Sequence, residues 1–172
     1  MPGFFADLAR NMVRSVFLVS YLLRFWELLL ITFLKLDWVP QIVSAEERIS
    51  RFVFSERHMN RTKGQIKPAA FLPSPKNKSA SVLRTSDCPE RRIWRIGELF
   101  VARFRTDRPK LLARGDLRAE VVLKQGLGIV ADPSPHPRHA DVTNWPEDRA
   151  QQKIKAMVLA QSASLLLHPR SN

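Results

Sequence analysis

With one cysteine, Cys88, the chain can form no intramolecular disulfide and no cysteine-based zinc site, so its folded part must be held by packing. Cys88 stands before Pro89 at a predicted helix start, with no base beside it in the sequence, and reads as an inert neighbour of the cap. Glycine is sparse as well. Six glycines against twelve prolines imply stiff, irregular connections. No phosphate-cradling P-loop, no dinucleotide-binding glycine pattern and no nucleophile elbow is present, which removes those enzyme classes. Negative charge is the third shortage: 16 Asp and Glu face 28 Lys and Arg, a formal +12 with a pI near 10.8. Such a balance favours nucleic acid, anionic lipid or phosphorylated ligands without choosing among them.

Apolar residues are concentrated in one place. Residues 15–36, SVFLVSYLLRFWELLLITFLKL, match the roughly 20 residues that a bilayer-spanning helix needs. Arg24 and Glu27 interrupt the stretch, and charge inside a bilayer is costly. Their spacing of three puts both on one helix face, where they can pair. Leu18, Leu22, Trp26, Leu29 and Phe33 fall on the other, apolar half. The pattern predicts an interfacial helix, or a spanning helix whose charged stripe faces a partner. No small-residue cleavage site follows, so a signal peptide is not expected. The composition shift at Pro40 also fits a chain that truly starts near Ser44. The predicted division is a hydrophobic segment over 1–40, a basic α+β domain over 45–166 and a frayed tail over 167–172. Without residues 1–44 the balance is 24 basic against 13 acidic side chains, or +11, which would keep the body on the cytoplasmic side of an inner membrane. If the leader is not translated, a cytoplasmic protein is expected.

The body reads as a small mixed domain with short strands and three to four helices. Ser44 with Glu47 has the spacing of a capping box, predicting a helix through SAEERISRFVFSERH. AAFLPS and SVLRTS read as strands around a polar loop. In DCPE, Asp87 should cap a helix with Pro89 in its first turn, burying Ile93, Trp94, Ile96, Phe100 and Phe104. LLARGDL reads as a strand ending at a cap on Asp116. The helix LRAEVVLKQ then stops at Gly126 in the left-handed C′ position. LGIV and HADV read as short strands. NWPE repeats the DCPE logic with Asn144 as cap, and the last helix should bury Ala150, Ile154, Met157, Val158, Gln161 and Leu165.

Capping explains Asn144, Pro146 and Glu147 but not the residues just before them. In HPRHADV, an extended segment points His139 and Asp141 to one side, as an acid–base pair needs. His136 lies close enough in sequence to make the three weak metal-ligand candidates, although H-x-x-H-x-D is no recognised ligand motif, and no cofactor is expected. Arg84, in LRTSD, and Arg114, in ARGD, are the candidate anion holders. Arg51, Arg57, Arg61 and Lys63, interleaved with Phe52 and Phe54, could meet phosphates while a ring stacks on a base.

The strings ERISRFVFSERH, AAFLP, SVLRTS, IWRIGE, ARGDL, RHADVTNWPED and KIKAMVLA together resemble a group of short bacterial hypothetical proteins with no assigned activity. The likeness covers about residues 46–166, omits the leader and implies an independent body. It implies no activity. The expected function is a basic binding or accessory protein that contacts polyanions, tethered through residues 15–36. The alternative is a small hydrolase or phosphodiesterase-like enzyme using His139 and Asp141.

Overall fold

The computed structural model describes Leu29 and residues 39–102 and 110–170. The chain divides into two compact units, Met1–Leu36 and Asp37–Asn172. The expected leader helix lies outside the described residues apart from Leu29, as does Phe104. No helix among the described residues is long and apolar enough to cross a membrane.

The second unit is a mixed α+β fold built on a six-stranded antiparallel sheet. Its strands are β1 (Arg48–Val53), β4 (Ala80–Arg84), β5 (Ala113–Arg118), β6 (Gly128–Ala131), β7 (His139–Thr143) and β8 (Ser164–Leu167), in the order β6-β7-β4-β1-β5-β8. A separate hairpin pairs β2 (Met59–Asn60) with β3 (Gln65–Ile66). The helices are α1 (Glu90–Ile96), continued by a π-helical turn Gly97–Ala102, α2 (Ala119–Lys124) and α3 (Arg149–Ser162).

Register assigns the two faces of the sheet. Ile49 is opposite Leu117 and Val53 opposite Ala113; with Val82, Ala140 and Val142 they fill the face under α3 and the hairpin. Phe52 is opposite Arg114, Ser50 opposite Asp116, Leu83 opposite His139 and Ser81 opposite Asp141, and these residues share the other face. Helix α1 lies close over that second face. A Cβ on Gly97 would stand 2.8 Å from both Leu111 Cδ2 and Phe52 Cε1, so glycine is what permits the approach.

Several boundaries differ from the sequence reading. The box at Ser44 does form in part, since Ser44 N donates to Glu47 Oε1 at 2.8 Å, but the chain closes a tight turn and enters β1 rather than a helix. The reason is burial. Ile49 and Val53 on one side and Ser50 and Phe52 on the other are all buried, and only a central strand buries both alternating sets. AAFLPS is no strand: Pro68–Ala70 forms a short 3-10 turn. Asp87 takes φ +54 in the turn before α1 and caps nothing. Asp116 lies inside β5, and α2 follows without a side-chain cap. Asn144 also adopts positive φ, and the cap of α3 is Asp148, which accepts from Ala150 N at 3.2 Å and Gln151 N at 3.0 Å. Gly126, at φ +68 after α2, does stand at the left-handed C′ position. Helix α3 buries Ala156, Leu159 and Ala160, whereas Ile154 and Met157 are 58% and 44% exposed. Small alanines let the helix pack closely and displace the larger side chains outward. The start of the expected frayed tail is tied down, because β8 pairs with β5 through Leu167 and His168 is buried.

Candidate functional site

The β1–β4 ladder is short. It pairs Ile49 with Arg84 and Ser50 with Leu83 and stops there. Beyond it the Arg51 side chain ties the elements together, donating from Nε to the Ala70 carbonyl at 2.8 Å and from Nη1 to the Ser81 carbonyl. A cavity of about 450 Å³ opens at this parting. Phe52, Phe54, Phe100 and Ile96 supply its apolar wall; Ser79, Ser81, Arg51 and three histidines, His58, His136 and His139, supply its polar one. None of the described lining residues is a carboxylate.

β7 delivers His139 to this wall. Its Nδ1 lies 2.9 Å from the Asp132 carbonyl oxygen, a group that can only accept. Neutral His139 therefore carries its proton on Nδ1, and Nε2 is the basic nitrogen. Asp141 shares the face, with Oδ1 3.9 Å from Nε2, and accepts a 3.1 Å hydrogen bond from Ser81 Oγ. In a carboxylate-oriented base the carboxylate grips the nitrogen opposite the reacting one. Here the Asp132 carbonyl does so, with the Asp132 carboxylate Oδ2 3.5 Å from the same nitrogen, and Asp141 flanks Nε2. The Ser81 hydroxyl gives its hydrogen to Asp141 and not to His139.

His136 is buried, accepts the Arg138 backbone N–H on Nδ1 at 3.1 Å, and packs edge-on against Phe100 with ring centroids 4.9 Å apart. Ser79 is only 7% exposed, yet its Oγ has no hydrogen-bond partner among the described residues. Among the described residues no three His, Cys, Asp or Glu side chains gather to hold a metal ion, so His136, His139 and Asp141 do not form a joint ligand set.

The candidate anion holders are occupied elsewhere. Arg84 is buried on the opposite face, where Nε and Nη2 each reach Glu47 at 2.7 Å and the remaining donors go to the Pro40 and Ile42 carbonyls. Burial alone would raise the Glu47 carboxyl. The Arg84 and Ser44 hydrogen bonds and the Arg84 charge outweigh it and hold the group below its ordinary value. Arg114 shares the cavity-side face but belongs to another cluster: Nε donates to Asp116 Oδ1 at 2.9 Å, Nη2 to Glu90 Oε2 at 2.6 Å, and the guanidinium lies 4.6 Å above the Trp94 ring. Burial would raise Glu90 too, but Arg114 and the Trp94 indole hydrogen bond lower it overall. Trp94 packs edge-on against His168, whose Nε2 meets Glu98 Oε1 at 3.1 Å. Arg57, Arg61 and Lys63 are exposed around the β2–β3 hairpin, with Arg61 paired to Glu56 at 2.8 Å.

Sequence reasoning missed Ser79, the cavity position of His58, buried Arg138 and the Glu90–Arg114–Trp94–His168 cluster. Arg138 donates to the Ser86 carbonyl at 2.8 Å and so ties the loop before β7 to the turn before α1. Only the alternation in ARGD carried a signal, since it sets Arg114 and Asp116 on one strand face. No protein-family model matches the chain, and no curated protein and no solved structure shows significant similarity to it.

Proposed function

We propose that this chain is a basic binding or accessory protein whose body contacts polyanions, nucleic acid or anionic lipid, with residues 15–36 as a tether to the inner membrane. One observation carries the reading. Between Ser55 and Ser79 the single carboxylate is Glu56, against Arg57, Arg61, Lys63, Lys67, Lys76 and Lys78, and all six cations are exposed. A hairpin and a loop whose exposed charges are almost all positive form an electrostatic footprint for phosphates. Arg84 and Arg114 contribute to stability instead, because Arg84 is paired with Glu47 and Arg114 with Glu90 and Asp116 inside the body, although Arg114 Nη1 has no hydrogen-bond partner among the described residues.

Titrating the full chain with a labelled DNA duplex and with anionic vesicles over a salt series tests this. Affinity should fall linearly with salt on logarithmic axes, without sequence preference, as counterions are released. Lys63→Ala with Lys67→Ala should reduce the slope by about 2 if both meet phosphates. A slope unchanged in the double variant removes the hairpin from the interface, and no binding at low salt rejects the reading.

A further inference from the structure

We propose that the cavity between β1 and β4 binds a small organic anion built on a planar ring. Its volume of about 450 Å³ is in the range of small-molecule sites and too small for a polymer backbone with its bases. Phe52, Phe54 and Phe100 give flat apolar walls against which a ring can stack or pack edge-on. Among the described lining residues Arg51 is the one fixed charge, joined by His58, His136 and His139 and by no carboxylate. Asp141 does stand just behind the wall, 3.9 Å from His139 Nε2, and Arg51 also donates to the Ala70 and Ser81 carbonyls. A low-dielectric site with that lining favours a negative charge.

Ser79 points to a ligand independently of the charge. A buried hydroxyl left without a partner is unfavourable, and native folds keep few of them. Ser79 lines the cavity, its Oγ is buried with no hydrogen-bond partner among the described residues, and a small rotation of its side chain toward the cavity would let it donate to a carboxylate or phosphate oxygen. Lys76 and Lys78 are exposed on the loop that carries Ser79, which raises the positive potential near it. The site differs from the polyanion surface in kind, because it selects for shape and for a ring as well as for charge.

Calorimetric titration of the full chain at high salt, where polyanion binding is screened out, separates the two ideas. The probes are 1-naphthoate, the uncharged 1-naphthylmethanol, and inorganic phosphate, which has charge but no ring. Naphthoate is expected to bind one molecule per chain, the alcohol about tenfold more weakly, and phosphate not at all. Ser79→Ala should weaken naphthoate about fivefold or more, while the ligand-free melting temperature stays the same or rises, since no internal hydrogen bond is lost. Absence of naphthoate binding, equal affinity for the alcohol, binding of phosphate alone, or full affinity in Ser79→Ala would each overturn the proposal.

Discussion

Arg84 illustrates how burial turns a surface-type residue into a structural one. Its side chain is 1% exposed and has three described partners, Glu47, Pro40 and Ile42, of which Glu47 alone brings compensating charge. A buried pair of this kind adds little over an apolar replacement, but breaking it leaves one charge stranded. Glu47→Gln should therefore cost about 3 kcal/mol at neutral pH, whereas Arg84→Met combined with Glu47→Gln should cost less than the sum of the single changes. Denaturant midpoints of the four proteins check this, and additive losses would mean that the pair is not coupled. From sequence the same arginine reads as a phosphate ligand beside a helix start, because LRTSD shows basic and hydroxyl residues but not the turn 37 positions earlier that meets them. His139 was legible for the opposite reason. Strand alternation alone puts it and Asp141 on one face, and that needs no tertiary information.

Elements were legible where a local rule decides and illegible where burial on two sides decides. β4, β6, β7, α1, α2 and the Gly126 stop follow from short apolar runs, a proline at the helix start, which stands at the N-cap position, and a left-handed glycine. β1 does not, since its Ile49–Phe52–Val53 spacing also fits a helix, and only its place in mid-sheet settles the matter. β8 was hidden because SLLL continues the apolar composition of α3. Its contribution can be measured. Leu165 and Leu166 are half-buried, β8 closes the open side of β5, and His168 beyond it bonds Glu98 under Trp94. Ending the chain at Ala163 should lower stability by about 3 kcal/mol, or roughly 10 °C in Tm. His168→Ala should lose about a third of that. A truncated chain that melts with the full one would show that the tail is merely laid against the sheet.

On the scale of the whole molecule the excess of positive charge opposes compaction, and two depressed carboxylates work against it from the two faces of the sheet. Glu47 holds Arg84 on one face and Glu90 holds Arg114 on the other. Both titrate below the ordinary carboxyl value of 4.5, with burial acting upward and the arginine partners prevailing downward. A carboxylate whose pKa is lower in the folded state stabilises fully above its unfolded pKa, and the contribution disappears as pH falls through the folded one. Protonation of Glu47 would also leave Arg84 buried without a counter-charge, whereas Arg114 would keep Asp116, and either event raises the net positive charge further. The Glu90 side chain is 58% exposed, so solvent screens its pair, and Glu47 should dominate. The denaturant midpoint should thus be flat above about pH 5 and fall steeply below it. Glu47→Gln should start lower and show a shallower acid limb, and Glu90→Gln should keep nearly the full limb. If wild type and Glu47→Gln lose stability in parallel as the pH drops, the acid sensitivity comes from general repulsion of the basic body and not from the Glu47–Arg84 pair.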